Sequence, residues 1–364
     1  MNDKKPLTFV IIGSGWRAMF FVRIAGRYPQ LFRLKYMLCR SQEKADRIRA
    51  DQGIPVTVSA EECEKAEPDF VVVAVSKASI CQVTTEWALK GFPVICETPA
   101  GMNVEELQRL WELKEGHGAR IQVAEQYHRY PVIMAGLEAV RRGKLGDPYG
   151  VRLSAAHDYH GVSLIRRMLN IAPEPVKLWG RSYVFPVTET DSRHGAVTDG
   201  RVEDRGRTCI TMEFASGKMA YYDFSGVQYH SFIRSRHVNV QGRDGEWNDT
   251  VVRYVGEDHL PAEEHLKLCL PRRYRELETE ELKCMAQNWN PVLELDGVQD
   301  EYAIATMLFD MKQYLEGGRE VYPLAEALED AYVWTLMEKA VKDPGAVVES
   351  QAMPWHKVMP KFIP

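Results

Sequence analysis

Residues 7–12, Leu-Thr-Phe-Val-Ile-Ile, form an unbroken apolar run rich in β-branched side chains, and Gly13-Ser14-Gly15-Trp16-Arg17-Ala18 follows at once. From Met19 to Tyr28, apolar residues recur at helical spacing. A run without polar alternation is a strand buried on both faces, as in a parallel sheet. The order is therefore strand, G-x-G-x-x-A, helix. The first glycine permits the tight turn, and the second lets the backbone approach a pyrophosphate. The small Ala18 lets the helix pack close to the strand. Amides at the helix start then face negative phosphates. Gly13, Ser14, Gly15, Trp16 and Arg17 are accordingly the expected contacts of a nicotinamide dinucleotide. A plain tight turn is the alternative, and the flanking strand and helix favour binding.

The pattern continues. Leu34–Cys39 reads as a second strand, Gln42–Gln52 as a polar helix, and Val56–Val58 as a short strand entry. Ala60–Ala66 reads as helical, Asp69–Val75 as a buried strand, Cys81–Lys90 as a helix, and Pro93–Cys96 and Arg120–Glu125 as the last strands. Strands alternating with helices over about 125 residues give a doubly wound α/β domain. Ligands in such sheets sit at the carboxyl ends of the strands, here at Val75 and Ser76 and at Glu97-Thr98-Pro99. At the end of the second strand, NAD-preferring sites usually place an acid against the ribose 2′-OH. This chain instead has Arg40 and Ser41, which can pair with a 2′-phosphate. That tilts the cofactor expectation toward NADP over NAD, the alternative being that Arg40 is a solvated loop charge.

A chain of 364 residues is long enough for about two domains. The net charge of -5 lacks the basic footprint of a nucleic-acid binder. No apolar run reaches signal-peptide or membrane-spanning length, so no membrane association is expected. Seven scattered cysteines with no C-x-x-C pair argue against a zinc site or a disulfide framework, so no metal is expected. A reducing, cytoplasmic setting fits.

Beyond the turn-rich Gly143–Pro148, Tyr149–Ala156 and Val176–Val187 read as strands and Val162–Asn170 as a helix. Thr208–Phe214 and Met219–Phe224 make a hairpin, and His237–Gln241 and Val251–Val255 add strands. Thr188–Gly206, with His194 and Arg201, reads as a long polar loop, and Leu260–Glu281 as charged, exposed and partly helical. Asp300–Gly317 and Leu324–Asp343 carry helical periodicity. The expected architecture is a Rossmann domain over 1–125, then an α+β domain over 126–364 with a large, mainly antiparallel open-faced sheet. The final helices can pack back on the first domain.

At Glu97-Thr98-Pro99 the chain resembles the glucose-fructose oxidoreductase / inositol dehydrogenase / MocA family of NAD(P)-dependent oxidoreductases. The matching residues are Gly13–Ala18, Asp69–Ala74, Ala88–Val94, Glu97–Pro99, Gln126-Tyr127-His128-Arg129-Tyr130-Pro131 and Gly143–Gly146. The resemblance implies cofactor contacts from Glu97, Thr98 and Gln126. It also implies a substrate-lining segment at Tyr127, His128 and Arg129, with packing beneath the sheet rim as the alternative. The family usually has Glu-Lys-Pro, with a lysine that assists proton and hydride transfer, where this chain has Thr98. Lys77, on the same rim, is a candidate replacement amine, or else a solvated lysine. The family's Asp-x-Gly-x-His motif is matched by Ala156-His157-Asp158-Tyr159-His160, so His160 falls at the catalytic position and Ala156 at that of the acid. If 157–160 is extended, Asp158 and His160 share one face, with His157 and Tyr159 on the other. Asp158 with His160 is then an acid-base pair, Tyr159 a further proton donor, and His157 a substrate contact; a solvated loop is the alternative.

These observations imply an NAD(P)-dependent dehydrogenase or reductase for a sugar, inositol or related polyhydroxy compound. Two other functions remain open: transient oxidation enabling glycoside cleavage, and a non-catalytic dinucleotide-binding sensor or subunit. The resemblance also implies a homodimer or homotetramer formed through the C-terminal sheet.

Overall fold

The computed structural model describes residues 5–192, 195–266, 299–318 and 320–359. The chain divides into two units, residues 1–126 with 298–331 and residues 127–297 with 332–364.

In the first unit, apolar runs become strands that are largely buried, with Arg33 of the second strand exposed. They are β1 (Leu7–Ile12), β2 (Phe32–Leu38), β3 (Val56–Thr57), β4 (Phe70–Val73), β5 (Val94–Cys96) and β6 (Ile121–Val123). All pair in parallel, in the order β3-β2-β1-β4-β5-β6. The order reverses at β1, which sets a crevice at the carboxyl ends of β1 and β4. The connecting helices are α1 (Ala18–Arg27), α2 (Gln42–Gln52), α3 (Ala60–Lys65), α4 (Lys77–Leu89) and α5 (Val104–His117). Side-chain caps start α2, α3 and α5: Ser41, Ser59 and Asn103 accept from the amides of Lys44, Glu62 and Glu106.

The second unit opens with a single 3-10 turn at Tyr127–Arg129 and then α6 (Pro131–Arg141). Next come β7 (Pro148–Ser154), α7 (Asp158–Leu169) and β8 (Val176–Thr188). Asp191–Ser192 (β9) and Gly195–Ala196 (β10) form a small separate ribbon. They precede β11 (Val202–Phe214), β12 (Met219–Phe224), β13 (His237–Gly242), β14 (Gly245–Asn248), β15 (Val251–Val255) and β16 (Pro261–His265). In the first unit again, α8 (Gln299–Leu315) packs on α1, with Arg23 of α1 paired to Glu301. Leu324–Lys342 (α9) is divided between the units at Ala331 and Tyr332, and β17 (Val348–Glu349) closes the described strands.

Among the described residues the large sheet of the second unit has nine strands in the order β16-β15-β14-β13-β7-β12-β11-β8-β17. All its pairs are antiparallel except β7 with β12. Alternation decides its faces. Val151, Leu153, Ala220, Tyr222, Ile210, Met212 and Leu178 are buried on one side, where α7 packs against β7. The other side is open and carries Arg152, Tyr221, Arg207 paired to Asp223, and the stacked rings of Tyr183 and Phe185.

Two expectations are corrected. Thr188–Gly206 is not loop throughout: Thr188 and Val202–Gly206 belong to β8 and β11, which pair from Val202↔Thr188 to Phe214↔Val176. Polar residues near these strand ends bond to each other, Arg205 Nε donating to Glu189 Oε1 at 2.7 Å, so the pairing needs no apolar pattern there. Within Leu260–Glu281, Pro261–His265 is strand rather than helix, because Arg253, Tyr254 and Glu263, Glu264 pair across β15 and β16. The rest of that segment from 267 onward, and His194, lie outside the described residues.

Gly13 fixes the Rossmann turn. Its φ of 111° lies in the left-handed region, and a Cβ there would stand 2.3 Å from the carbonyl oxygen of Ala74, just past β4. Gly13→Ala is therefore expected to lower unfolding free energy in urea by about 2 kcal/mol or more. Wild-type stability in that variant would contradict the packing described.

Candidate functional site

The first unit presents its chemistry at the carboxyl ends of β1, β4 and β5. Arg17 stands at the N-cap of α1, and its Nε donates to Oε1 of Glu97 at 2.8 Å. Glu97 is buried just beyond β5, and its own amide donates to the carbonyl of Val73. This ion pair ties the glycine turn to the Glu97-Thr98-Pro99 segment, whose Thr98–Pro99 peptide is cis. Thr98 and Val75 are half-buried. Ser76 caps no backbone group but bonds Ser79 through the hydroxyls at 3.1 Å. Lys77 is the first residue of α4 and is exposed, so its amine stands on the sheet rim. Arg40 is an exposed cation beyond β2, beside Ser41, which caps α2. Trp16 is 55% exposed, and Gln126 is buried where the first unit's chain ends.

These residues fit a dinucleotide. A Cβ on Gly15 would meet nothing within 4 Å, so the backbone there is open to close approach from outside the protein. The amides of Ser14 and Gly15 donate to no acceptor among the described residues. They precede a ten-residue helix with no acid in its first turn. Unspent donors at a helix start are what a pyrophosphate requires.

The second unit holds the histidines. Residues 157–160 are not extended, contrary to the sequence expectation. His157 is the N-cap of α7 with φ -80° and ψ 151°, and the helix begins at Asp158. Asp158 has φ 47°, and its amide donates to the hydroxyl of Tyr222 at 2.9 Å. Helical spacing puts i and i+3 on one face, so His160 lies against His157 and not with Asp158. The two imidazoles meet edge to face at 4.8 Å between centroids. Tyr127 packs on His160 at 4.5 Å, and Tyr159 lies edge-on to it at 5.5 Å. Tyr159 is one of the largest fully buried side chains, and His160 is buried.

A residue that the sequence reading missed organises this group. Tyr229, at the end of the Gly226–Tyr229 turn, accepts from the His157 amide at 3.1 Å and from the Tyr127 hydroxyl at 2.7 Å. Its oxygen is also 2.6 Å from Nδ1 of His157. Burial pushes the Tyr229 phenol up to about 12, so it stays protonated. Burial first, then the Asp158 carboxylate, holds the Tyr222 phenol well above its ordinary range.

His128 and Arg129 lie on the 3-10 turn with Tyr127. Burial, reinforced by Arg167 and Arg129, holds His128 well below its ordinary pKa, so it is neutral. Burial pushes the thiols of Cys63 and Cys96 up to about 12 and that of Cys81 up to about 11, which keeps these three protonated.

Comparison with known proteins agrees with this fold. Residues 7–125 match the family model described as oxidoreductase family, NAD-binding Rossmann fold, that of the glucose-fructose oxidoreductase / inositol dehydrogenase / MocA proteins. A D-xylose 1-dehydrogenase [NADP(+)] of Haloarcula marismortui is 22% identical over 47% of this chain and 46% of its own length. The chain spans less than half the length of the curated relatives it matches. An oxidoreductase domain protein from Kribbella flavida superposes with a TM-score of 0.71 at 16% identity, covering 96% of this chain and 100% of that one. The WlbA dehydrogenase of Bordetella pertussis, in complex with NADH and UDP-GlcNAcA, superposes with 0.66 at 14% identity over 96% and 99%. At these identities the shared property is the fold.

The neutral His128 makes stability depend on pH. Its folded pKa is lowered, so it costs nothing above the unfolded pKa near 6.5. As pH falls below that value, the unfolded chain takes up a proton the folded chain refuses, and stability is lost by up to about 1.4 kcal/mol per pH unit. Between pH 7.5 and 5.5, His128→Phe is expected to lose about 1 kcal/mol less unfolding free energy than wild type. Equal losses would contradict a neutral His128.

Proposed function

We propose, on the premise that residues 7–125 belong to the glucose-fructose oxidoreductase / inositol dehydrogenase / MocA family, that this protein is an NAD(P)-dependent oxidoreductase. Its proposed substrate is a sugar, inositol or related polyhydroxy compound, and its setting the cytoplasm. The observation that carries the reading is the Gly13–Ala18 turn, with its open Gly15 backbone and unspent Ser14 and Gly15 amides. The bound nicotinamide supplies the hydride chemistry. Gly13, Ser14, Gly15, Trp16 and Arg17 hold the pyrophosphate side. Glu97 orients Arg17, and Val75, Ser76 and Gln126 complete the cofactor contacts. Arg40 and Ser41 favour a 2′-phosphate, hence NADP over NAD.

In the second unit, His160 is the residue proposed to move the substrate hydroxyl's proton, within the ring cluster formed with His157 and Tyr127. Tyr127, His128 and Arg129 are proposed to hold substrate hydroxyl or carboxylate groups. Thr98 and Lys77 are the polar groups offered where the family usually has its lysine, and Thr98 cannot supply a charge. That substitution supports one second reading, a dinucleotide-binding protein without turnover. The open face of the large sheet, with Tyr183, Phe185 and Tyr221 exposed, supports a homodimer.

Three results are expected. Wild-type protein mixed with D-xylose or myo-inositol and NADP+ changes nicotinamide absorbance; cofactor binding with no change across a polyol panel would favour the second reading. His160→Ala lowers turnover by roughly a hundredfold or more with cofactor affinity kept, and near-normal turnover would remove His160 from the mechanism. Arg40→Ala weakens NADP+ much more than NAD+ in binding titrations, whereas equal changes would refute the 2′-phosphate contact.

A further inference from the structure

We infer that Tyr229 is a positioning residue that fixes His157 as the Nε2–H tautomer, so that His157 and His160 together form the proton-handling group of this protein. The inference deepens the reading above and rests on it for its catalytic half. It follows from counting hydrogens at one oxygen. A phenol oxygen carries one proton and accepts through two lone pairs. At Tyr229 both acceptor positions are filled, by the backbone amide of His157 at 3.1 Å and by the hydroxyl of Tyr127 at 2.7 Å. The remaining close partner is Nδ1 of His157 at 2.6 Å. Two filled acceptor positions leave the phenol only its own proton to share there, so Nδ1 accepts. A neutral imidazole that accepts at Nδ1 carries its hydrogen at Nε2.

Three features hold this arrangement. His157 is an N-cap, so its amide is free of the helix ladder and turns to Tyr229. Phe224 packs against Tyr229 at 5.1 Å and the guanidinium of Arg236 lies 5.7 Å from its ring, which limits rotation of the phenol. The His157 ring in turn meets His160 at 4.8 Å. The position at which the resembled family carries an acid is Ala156, buried and without a polar side chain. Tyr229, supplied by a turn beyond β12, bonds His157, and His157 in turn packs on His160. The two phenols accept from successive amides: Tyr222 from that of Asp158, and Tyr229 from that of His157.

The test is a spectrum. Full-length protein labelled with 15N-histidine, with His157 assigned by comparison with His157→Gln, is examined by two-bond 15N–1H correlation. The expected result is an unprotonated Nδ1 and a protonated Nε2 at His157. A protonated Nδ1 in wild type overturns the inference without any variant. In Tyr229→Phe the fixed pattern is expected to be lost, and turnover to fall by at least about tenfold with NADP+ affinity unchanged. In Tyr127→Phe one acceptor position of Tyr229 is vacated and can take a hydrogen from Nδ1, so a mixture of the two tautomers is expected; a pattern as fixed as in wild type would overturn the count of filled acceptors. A folded Tyr229→Phe whose His157 tautomer is unchanged would overturn the assignment. The tautomer is read without substrate, so it stands or falls separately from the oxidoreductase reading. Correct tautomer with no turnover of any polyol supports the positioning role and refutes the catalytic one.

Discussion

The approach of the glycine turn to the end of β4 is the constraint on which the first unit depends. Gly13 sits against the Ala74 carbonyl in a backbone conformation that a side chain would strain, and its amide bonds Leu38 at the end of β2. One residue thus joins the ends of the three central strands. The next amides, those of Ser14 and Gly15, donate to no acceptor among the described residues. The same turn delivers Arg17 to Glu97, so the loops after β1 and β5 are held by a part-buried ion pair. Such a pair is worth having when both charges are already paired and partly desolvated, and losing one partner strands the other.

The second unit solves a different problem. Its mixed sheet offers one buried face for α7 and one open face, and the first turn of α7 has lost the regular extended approach that the sequence suggested. Asp158 in the left-handed region turns the chain sharply, so that His157 caps the helix while its ring faces His160. Two tyrosines from the sheet side take the amides that a helix start leaves without partners. The polar groups that would otherwise be stranded in a largely buried cluster are satisfied by phenols whose own protons stay bound.

Much of this was legible in the chain. Continuous apolar runs announced the parallel strands, and the glycine spacing announced the turn, because both are local patterns with a single physical solution. The Thr208–Phe224 hairpin was legible from its alternation and its turn residues. The polar ends of β8 and β11 were not, because a strand exposed on both faces shows no apolar alternation and Arg205–Glu189 pairing is visible only in space. Tyr229 was hidden for the same reason: its partner His157 is 72 residues away in the chain. The expected facing of Asp158 with His160 failed on a single φ angle, which no periodicity encodes.

The proposed function stands on the binding of a nicotinamide dinucleotide by residues 7–125. Thermal unfolding of the wild-type chain with NADP+ or NAD+ tests it most directly, since a ligand that binds only the folded state adds about 2.7 kcal/mol at a hundred times its dissociation constant. A rise in the midpoint that saturates with cofactor, and does not occur with equimolar phosphate, is the predicted result. An unchanged midpoint with both dinucleotides at millimolar concentration would contradict it.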